Sequence, residues 1–181
     1  MDIFQLDEKG CLFISPDIDD WAKVHERDIC AIIDMDGDLD IGVPSVPDQY
    51  LYIYFPIDDV LTLPDLEKLH AVARMGAMMV NSGLKVLSHC GMGHNRCALV
   101  AGLILTNLGM PGKDAVQLIR DKRPGALYNK AFADYIEAQL PGPVDAVLSV
   151  ADAPAAALLE AITNPSSSSP ARQPATHTTL R

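Results

Sequence analysis

The sequence predicts an α/β domain: a central, mostly parallel sheet of four to five strands, helices on both faces, and an anion-binding loop between one strand and the next helix. Three observations predict it. Short apolar runs alternate along the chain with longer segments of helical periodicity, which favours parallel pairing through crossover helices. A glycine-bearing loop separates the apolar run at 84–87 from an almost wholly apolar helical stretch at 98–108. Finally, 181 residues with 49% hydrophobic content suffice to bury a full core.

The elements follow in order. Residues 11–15 read as a short strand. Pro16-Asp17-Ile18-Asp19-Asp20 starts a helix that runs through Trp21 and Val24 to about Arg27, with proline and acids in its first turn. A buried strand at 29–33 precedes another at 51–55, where Tyr52 and Tyr54 alternate with apolar residues. Leu63-Pro64-Asp65 opens a long amphipathic helix to about Asn81, ended by Gly83. The strand at 84–87 and the helix at 98–108 flank the loop, and Gly109 stops that helix. Residues 111–122 form a helix with Ala115, Leu118 and Ile119 on one side, and Asn129 caps a last helix through Gln139. Pro141-Gly142-Pro143 marks the domain edge, so the catalytic unit is expected at 1–140. Residues 141–162, rich in alanine and leucine, form a candidate docking helix interrupted by Pro154. Residues 163–181, with four consecutive serines, read as a disordered low-complexity tail.

Composition narrows the function. The net charge is −10, and residues 1–60 carry 15 acids against 3 bases. An acidic chain without a basic stripe is a poor binder of nucleic acid or anionic membranes. No apolar run reaches the roughly 18 residues that span a bilayer. The start of the chain has neither a basic nor an apolar signal core. Four scattered cysteines suit a reducing interior, so a cytoplasmic protein is expected.

The chemistry concentrates in Leu87-Ser88-His89-Cys90-Gly91-Met92-Gly93-His94-Asn95-Arg96-Cys97. Strand, tight loop and helix N-terminus together aim several backbone N–H groups, and the positive end of a helix dipole, at one point. An oxyanion suits that point. A cysteine there is held as thiolate, because a helix N-terminus and a nearby cation lower its pKa to roughly 3.5–7.5. Arg96 can grip two phosphate oxygens in a bidentate fork. Gly91 and Gly93 let consecutive amides converge into an anion nest, with Met92, His94 and Asn95 supplying the remaining amides. Strand alternation sets His89 on the face opposite Cys90, so its expected role is to fix the loop through hydrogen bonds from its ring. The pattern reads as nucleophilic attack on a phosphate ester.

His89, Cys90, Gly93 and Arg96 resemble the His-Cys-x-x-Gly-x-x-Arg signature of the cysteine-dependent protein tyrosine phosphatase superfamily, and the chain is similar to its small, atypical dual-specificity members. Phe55-Pro56-Ile57-Asp58-Asp59 resembles the segment that carries the family's general acid. Arg123-Pro124-Gly125-Ala126, followed by Asn129 and Phe132, resembles its closing helix region. The resemblance spans about Ile3 to Leu140. It implies a phosphocysteine intermediate on Cys90, a proton supplied by Asp59 (or by Asp58), and a water activated by the same aspartate. It implies no metal and no cofactor. The implied substrate is a phosphorylated protein, with phosphate on tyrosine, serine or threonine, or a small phosphoester. Oligomeric state is left open.

Cys97 departs from that pattern, which has serine or threonine after the arginine. A thiol is the weaker donor, which implies modest turnover. It reads first as a small buried residue and second as a resolving thiol for Cys90. His94 also departs, either rimming the pocket or facing solvent. Ile32-Ile33-Asp34-Met35-Asp36-Gly37-Asp38 resembles the first motif of haloacid-dehalogenase-type phosphatases, but Asp38 stands where threonine is usual, so a turn after a strand is the simpler reading. A metal site at His89, Cys90 and His94 lacks a fourth ligand nearby. A catalytically idle phosphate-binding module is the alternative of a different class.

Overall fold

The computed structural model describes residues 1–142. Apart from residues 141 and 142, the candidate docking helix and the tail lie outside them. Five strands form one sheet: β1 (Phe4–Gln5), β2 (Leu12–Ser15), β3 (Ala31–Asp34), β4 (Leu51–Tyr54) and β5 (Val86–His89). Their spatial order is β1-β2-β5-β3-β4. Only β1 pairs antiparallel; the other three pairings are parallel. The helices are α1 (Trp21–His25), α2 (Leu66–Asn81), α3 (Arg96–Asn107), α4 (Gly112–Lys122) and α5 (Lys130–Glu137).

Period-2 alternation divides the buried side chains between the two faces. Leu12, Ile14, Ala31, Ile33 and Val86 join the main core with α2, α3, α4 and α5. Phe13, Ile32 and Leu87 point the other way, into a smaller cluster with Ile18, Val24 and Ile29 around α1. Both faces are therefore covered, unequally. Helix α3 is the central one, with every residue from Cys97 to Thr106 buried. That is why its sequence is apolar all round instead of striped.

Element boundaries moved by a few residues, each for a local reason. Helix α1 begins at Trp21 rather than at 16–20, because the Asp20 carboxylate accepts the Ala22 N–H and caps the first turn there. Helix α2 begins at Leu66, capped by Asp65 accepting from the Lys68 N–H. Strand β5 runs on to His89 because β2 and β3 pair it that far. Strand β1, absent from the sequence reading, is only two residues long and carries no alternation to detect.

Helices α2 and α3 approach closely at Gly76, where an added Cβ would sit 2.4 Å from Ile104 Cδ1 and 2.8 Å from its Cγ1. Gly76→Ala is accordingly expected to lower the urea midpoint. Overpacking costs about 1–3 kcal/mol, against about 1 kcal/mol returned by better helix propensity. The penalty should shrink in an Ile104→Val background, which removes the nearest atom; an equal penalty in both backgrounds would refute the steric explanation.

Candidate active site

The loop between β5 and α3 lies at the carboxyl end of the parallel strands, where such sheets bind ligands. Cys90 follows the last residue of β5 and is 2% exposed. Its backbone N–H reaches Ser15 O on β2 at 3.4 Å. Gly93 adopts φ +66, and a Cβ there would lie 2.5 Å from Pro16 N and 2.7 Å from the Ser15 carbonyl carbon. Only glycine supplies both that conformation and that closeness. The Gly93 N–H turns back to Cys90 O at 3.3 Å, closing the loop. Among the described residues, the amides of Gly91, Met92, His94 and Asn95 make no bond to other backbone carbonyls.

Asn95 occupies the N-cap position of α3 but makes no capping bond. Its amide is committed elsewhere: Nδ2 donates to Asp59 Oδ2 at 2.8 Å, and Oδ1 accepts the Asn129 N–H at 3.0 Å. The first N–H groups of α3 therefore remain directed at the loop, and the dipole end is left without a side-chain partner.

The electrostatics centre on sulfur. Cys90 is lowered to about 5, chiefly because the Cys97 thiol donates a hydrogen bond to it. Burial opposes the shift, while the Cys97 N–H, the charge of Arg96 and the Gly93 N–H favour it. Cys97 itself is pushed well above its ordinary value, mainly by burial, and so stays a protonated donor. The first sequence reading of Cys97, a small buried residue, holds for its volume. Its thiol also faces the Cys90 sulfur.

Arg96 is held along one edge. Its Nη1 donates to Asp36 Oδ1 at 3.0 Å and to Met35 O at 3.1 Å, with Ile57 O at 3.5 Å. Its Nη2 lies on the side of Gly91, 3.3 Å from where a Cβ would stand. Asp36 was read in the sequence as part of a turn after a strand. It sits in such a turn, and the parallel register that pairs Asp34 with His89 brings it beside the loop.

Asp59 and Asp58 diverge, as adjacent residues on extended backbone must. Asp59 is strung between Asn95 Nδ2 and Asn129 Nδ2, each at 2.8 Å, next to the loop. Asp58 instead lines a cavity of about 430 Å³ that also includes Phe55, Ile57, Lys68 and Arg96. Asn129 does double work: its side chain accepts the Ala131 N–H as the cap of α5 and reaches Asp59 and Val60 O. Only the cap was legible in sequence. His94 is half-buried; its Nδ1 donates to Met92 O at 2.8 Å, and its ring tilts against Tyr128. Met92 is exposed at the rim. Arg123 reaches the carbonyls of Gly93 and Met92 at 3.4 and 3.5 Å.

His89 departs from expectation. Neither ring nitrogen makes a hydrogen bond, so it does not fix the loop in that way. Its side chain is fully buried on the α1 face, beside Asp34 and Asp40. The pairing of β5 with β3 sets Asp34 opposite His89.

The chain has the fold of the cysteine-dependent tyrosine and dual-specificity phosphatases. DUSP15 superposes with a TM-score of 0.63 at 20% identity, covering 75% of this chain and 85% of that one. Human DUSP28 superposes with a TM-score of 0.61 at 18% identity, over 75% and 90%. In sequence, protein tyrosine phosphatase type IVA 3 of Mus musculus is 28% identical over 129 residues, 71% of this chain and 72% of that relative. No protein-family model matches the chain.

Iodoacetamide inactivation followed against pH tests the sulfur environment. The native protein should react with a midpoint near 5. Cys97→Ala removes the principal donor and should move the midpoint upward, while Cys97→Ser, which keeps a donor, should hold it low. An unshifted midpoint in Cys97→Ala would show that the neighbouring thiol is immaterial.

Proposed function

We propose that the chain is a cysteine-dependent phosphatase that hydrolyses phosphotyrosine, phosphoserine or phosphothreonine through a phosphocysteine intermediate. The observation that carries this reading is the buried Cys90 sulfur, its pKa lowered to about 5, beside Arg96 and the uncapped N-terminus of α3. Such a group has little structural use, because an ionised sulfur at 2% exposure must be compensated by donors aimed at it.

In the first step the Cys90 thiolate attacks phosphorus in line with the departing oxygen. Arg96 Nη2 and the amides of Gly91, Met92, His94, Asn95 and Arg96 take up the charge of the three equatorial oxygens, while the Gly93 N–H, expected from the sequence to join them, closes the loop on Cys90 O. Asp36, by holding Nη1, fixes the plane of the guanidinium. Asp59 protonates the leaving oxygen. In the second step Asp59 takes a proton from water, whose oxygen attacks the phosphocysteine, releasing inorganic phosphate and restoring the thiolate. No metal ion takes part in these steps. Asn95 and Asn129 hold Asp59 beside the loop, which favours it over Asp58 as the acid.

The cavity that runs from Arg96 past Asp58 to Lys68 gives a phosphorylated residue and its neighbours room to lie. Among the described residues no helix is long and apolar enough to cross a membrane, and the cysteines there are all unpaired. A reducing, cytoplasmic setting fits that chemistry, since the thiolate needs protection from oxidation. The acidic surface offers nucleic acid no footing.

Hydrolysis of p-nitrophenyl phosphate supplies the test. Turnover is expected without magnesium, unchanged by its addition, and abolished in Cys90→Ser. Phosphate binding without turnover would instead mark an idle binding module, and magnesium dependence with loss in Asp34→Asn a dehalogenase-type enzyme.

Leaving-group dependence assigns the acid. Asp59→Ala should slow poor leaving groups by about 10²- to 10⁴-fold and good ones much less, with Asp58→Ala close to native. The reverse pattern would transfer the role to Asp58. Substrate trapping with Asp59→Ala would then separate phosphoproteins from small phosphorylated metabolites.

A further inference from the structure

Behind the loop, on the α1 face of the sheet, lies a polar cluster that the proposed reaction does not use. His89 ends β5, Asp34 ends β3, and Asp40 comes from the segment after β3. The side chains of Asp34 and His89 are fully buried, and that of Asp40 is 6% exposed. One oxygen from each carboxylate and one imidazole nitrogen all lie within 4.8 Å of one another. Tyr52 on β4 adds a hydroxyl 2.6 Å from Asp34 Oδ2 and 2.9 Å from Asp40 Oδ2.

Proton accounting shows what the cluster lacks. Two carboxylates share the single hydroxyl proton of Tyr52, and the Asp36 N–H satisfies Asp34 Oδ1 at 2.8 Å. The Asp40 N–H is spent on the Tyr52 oxygen. His89 Nε2 stands 3.0 Å from Asp40 Oδ2 and 3.7 Å from Asp34 Oδ1, yet hydrogen-bonds to neither. A fully buried ring nitrogen flanked by two carboxylate oxygens and bonded to neither has the disposition of a metal ligand, which shares an ion with its neighbours instead of a proton. Two carboxyl groups buried side by side are costly to ionise unless a cation lies between them, and a divalent ion would supply that charge.

An approach path exists. A cavity of about 430 Å³ is lined by Asp17, Asp19, Asp36, Asp38 and Asp40, with Ile18, Leu39 and Ile41 as its apolar wall. Five carboxylates around one cavity attract cations and repel phosphoesters. Asp40 belongs both to this cavity and to the cluster, and so joins the solvent side to the buried side.

We propose that Asp34, Asp40 and His89 bind a divalent transition-metal ion, zinc foremost, as a three-ligand site that leaves the fourth position to water and is distinct from the Cys90 centre. Imidazole with two carboxylates is a borderline donor set that suits zinc and manganese better than calcium or magnesium. Tyr52 orients the Asp34 carboxylate from behind, as partners of metal ligands do. The ion ties the end of β5 to the 34–40 segment. That segment carries Asp36, the residue that holds Arg96, so the metal stiffens the anion-binding loop from outside it.

The test uses the full-length Cys90→Ser protein, in which the loop thiol cannot act as a competing zinc ligand. After exhaustive dialysis against a chelator, zinc is titrated by calorimetry and metal content is measured. One ion per chain is expected, with a rise in the thermal midpoint. Affinity should fall at least tenfold in Asp40→Asn, whose side chain is isosteric, and less in Tyr52→Phe. Cobalt(II) should give d–d absorption in Cys90→Ser that Asp40→Asn loses. Absence of stoichiometric zinc, or binding equal in Cys90→Ser with and without Asp40→Asn, would overturn the proposal. Zinc retained only by the protein with Cys90 intact would do so as well. None of these outcomes bears on whether Cys90 is a nucleophile.

Discussion

The fold is organised around one buried sulfur and the donors that face it. Cys90 is almost fully buried, and the thiol and N–H of Cys97, the N–H of Gly93 and the charge of Arg96 all favour its ionised form. Burial alone would move the thiol the other way. Each donor belongs to the loop or to the first turn of α3, so the sulfur depends on where that helix begins. Helix α3 in turn is fixed by burial of nearly all of its length.

Two amide side chains carry much of the precision. Asn95, by reaching outward to Asp59 and Asn129, leaves the helix end open toward the loop. Asn129 caps α5 and grips Asp59 in the same act. Asn95 and Asn129 are buried while Asp59 is exposed, so breaking one of these bonds strands an amide in a poorly solvated place. The carboxylate proposed as acid is thereby held by residues from two separate segments, the β5–α3 loop and the cap of α5.

Much of the fold was legible in the chain. Alternation of strand and helix patterns, the apolar run of α3, and Asn129 as a cap all translated directly, because each rests on local periodicity or local hydrogen bonding. The candidate site was legible where spacing is local: Cys90, Gly93 and Arg96 lie within one loop, whose backbone brings them together without help from elsewhere. Boundaries slipped where capping acids competed, as with Asp20 within an acidic run. His89 was misjudged because alternation tells which face a side chain takes but not what waits there.

The sequence by itself therefore determined the residues and spacing of the loop, the parallel-rich architecture and the acidic character of the first sixty residues. Tertiary structure decided which groups confront one another across distance: Asp36 on Arg96, Asn129 on Asp59, Cys97 against Cys90, and the Asp34–Asp40–His89 cluster. The division has a physical reason. Periodicity and loop spacing are written into adjacent residues, whereas those pairings depend on strand register and helix packing, which only the closed core sets.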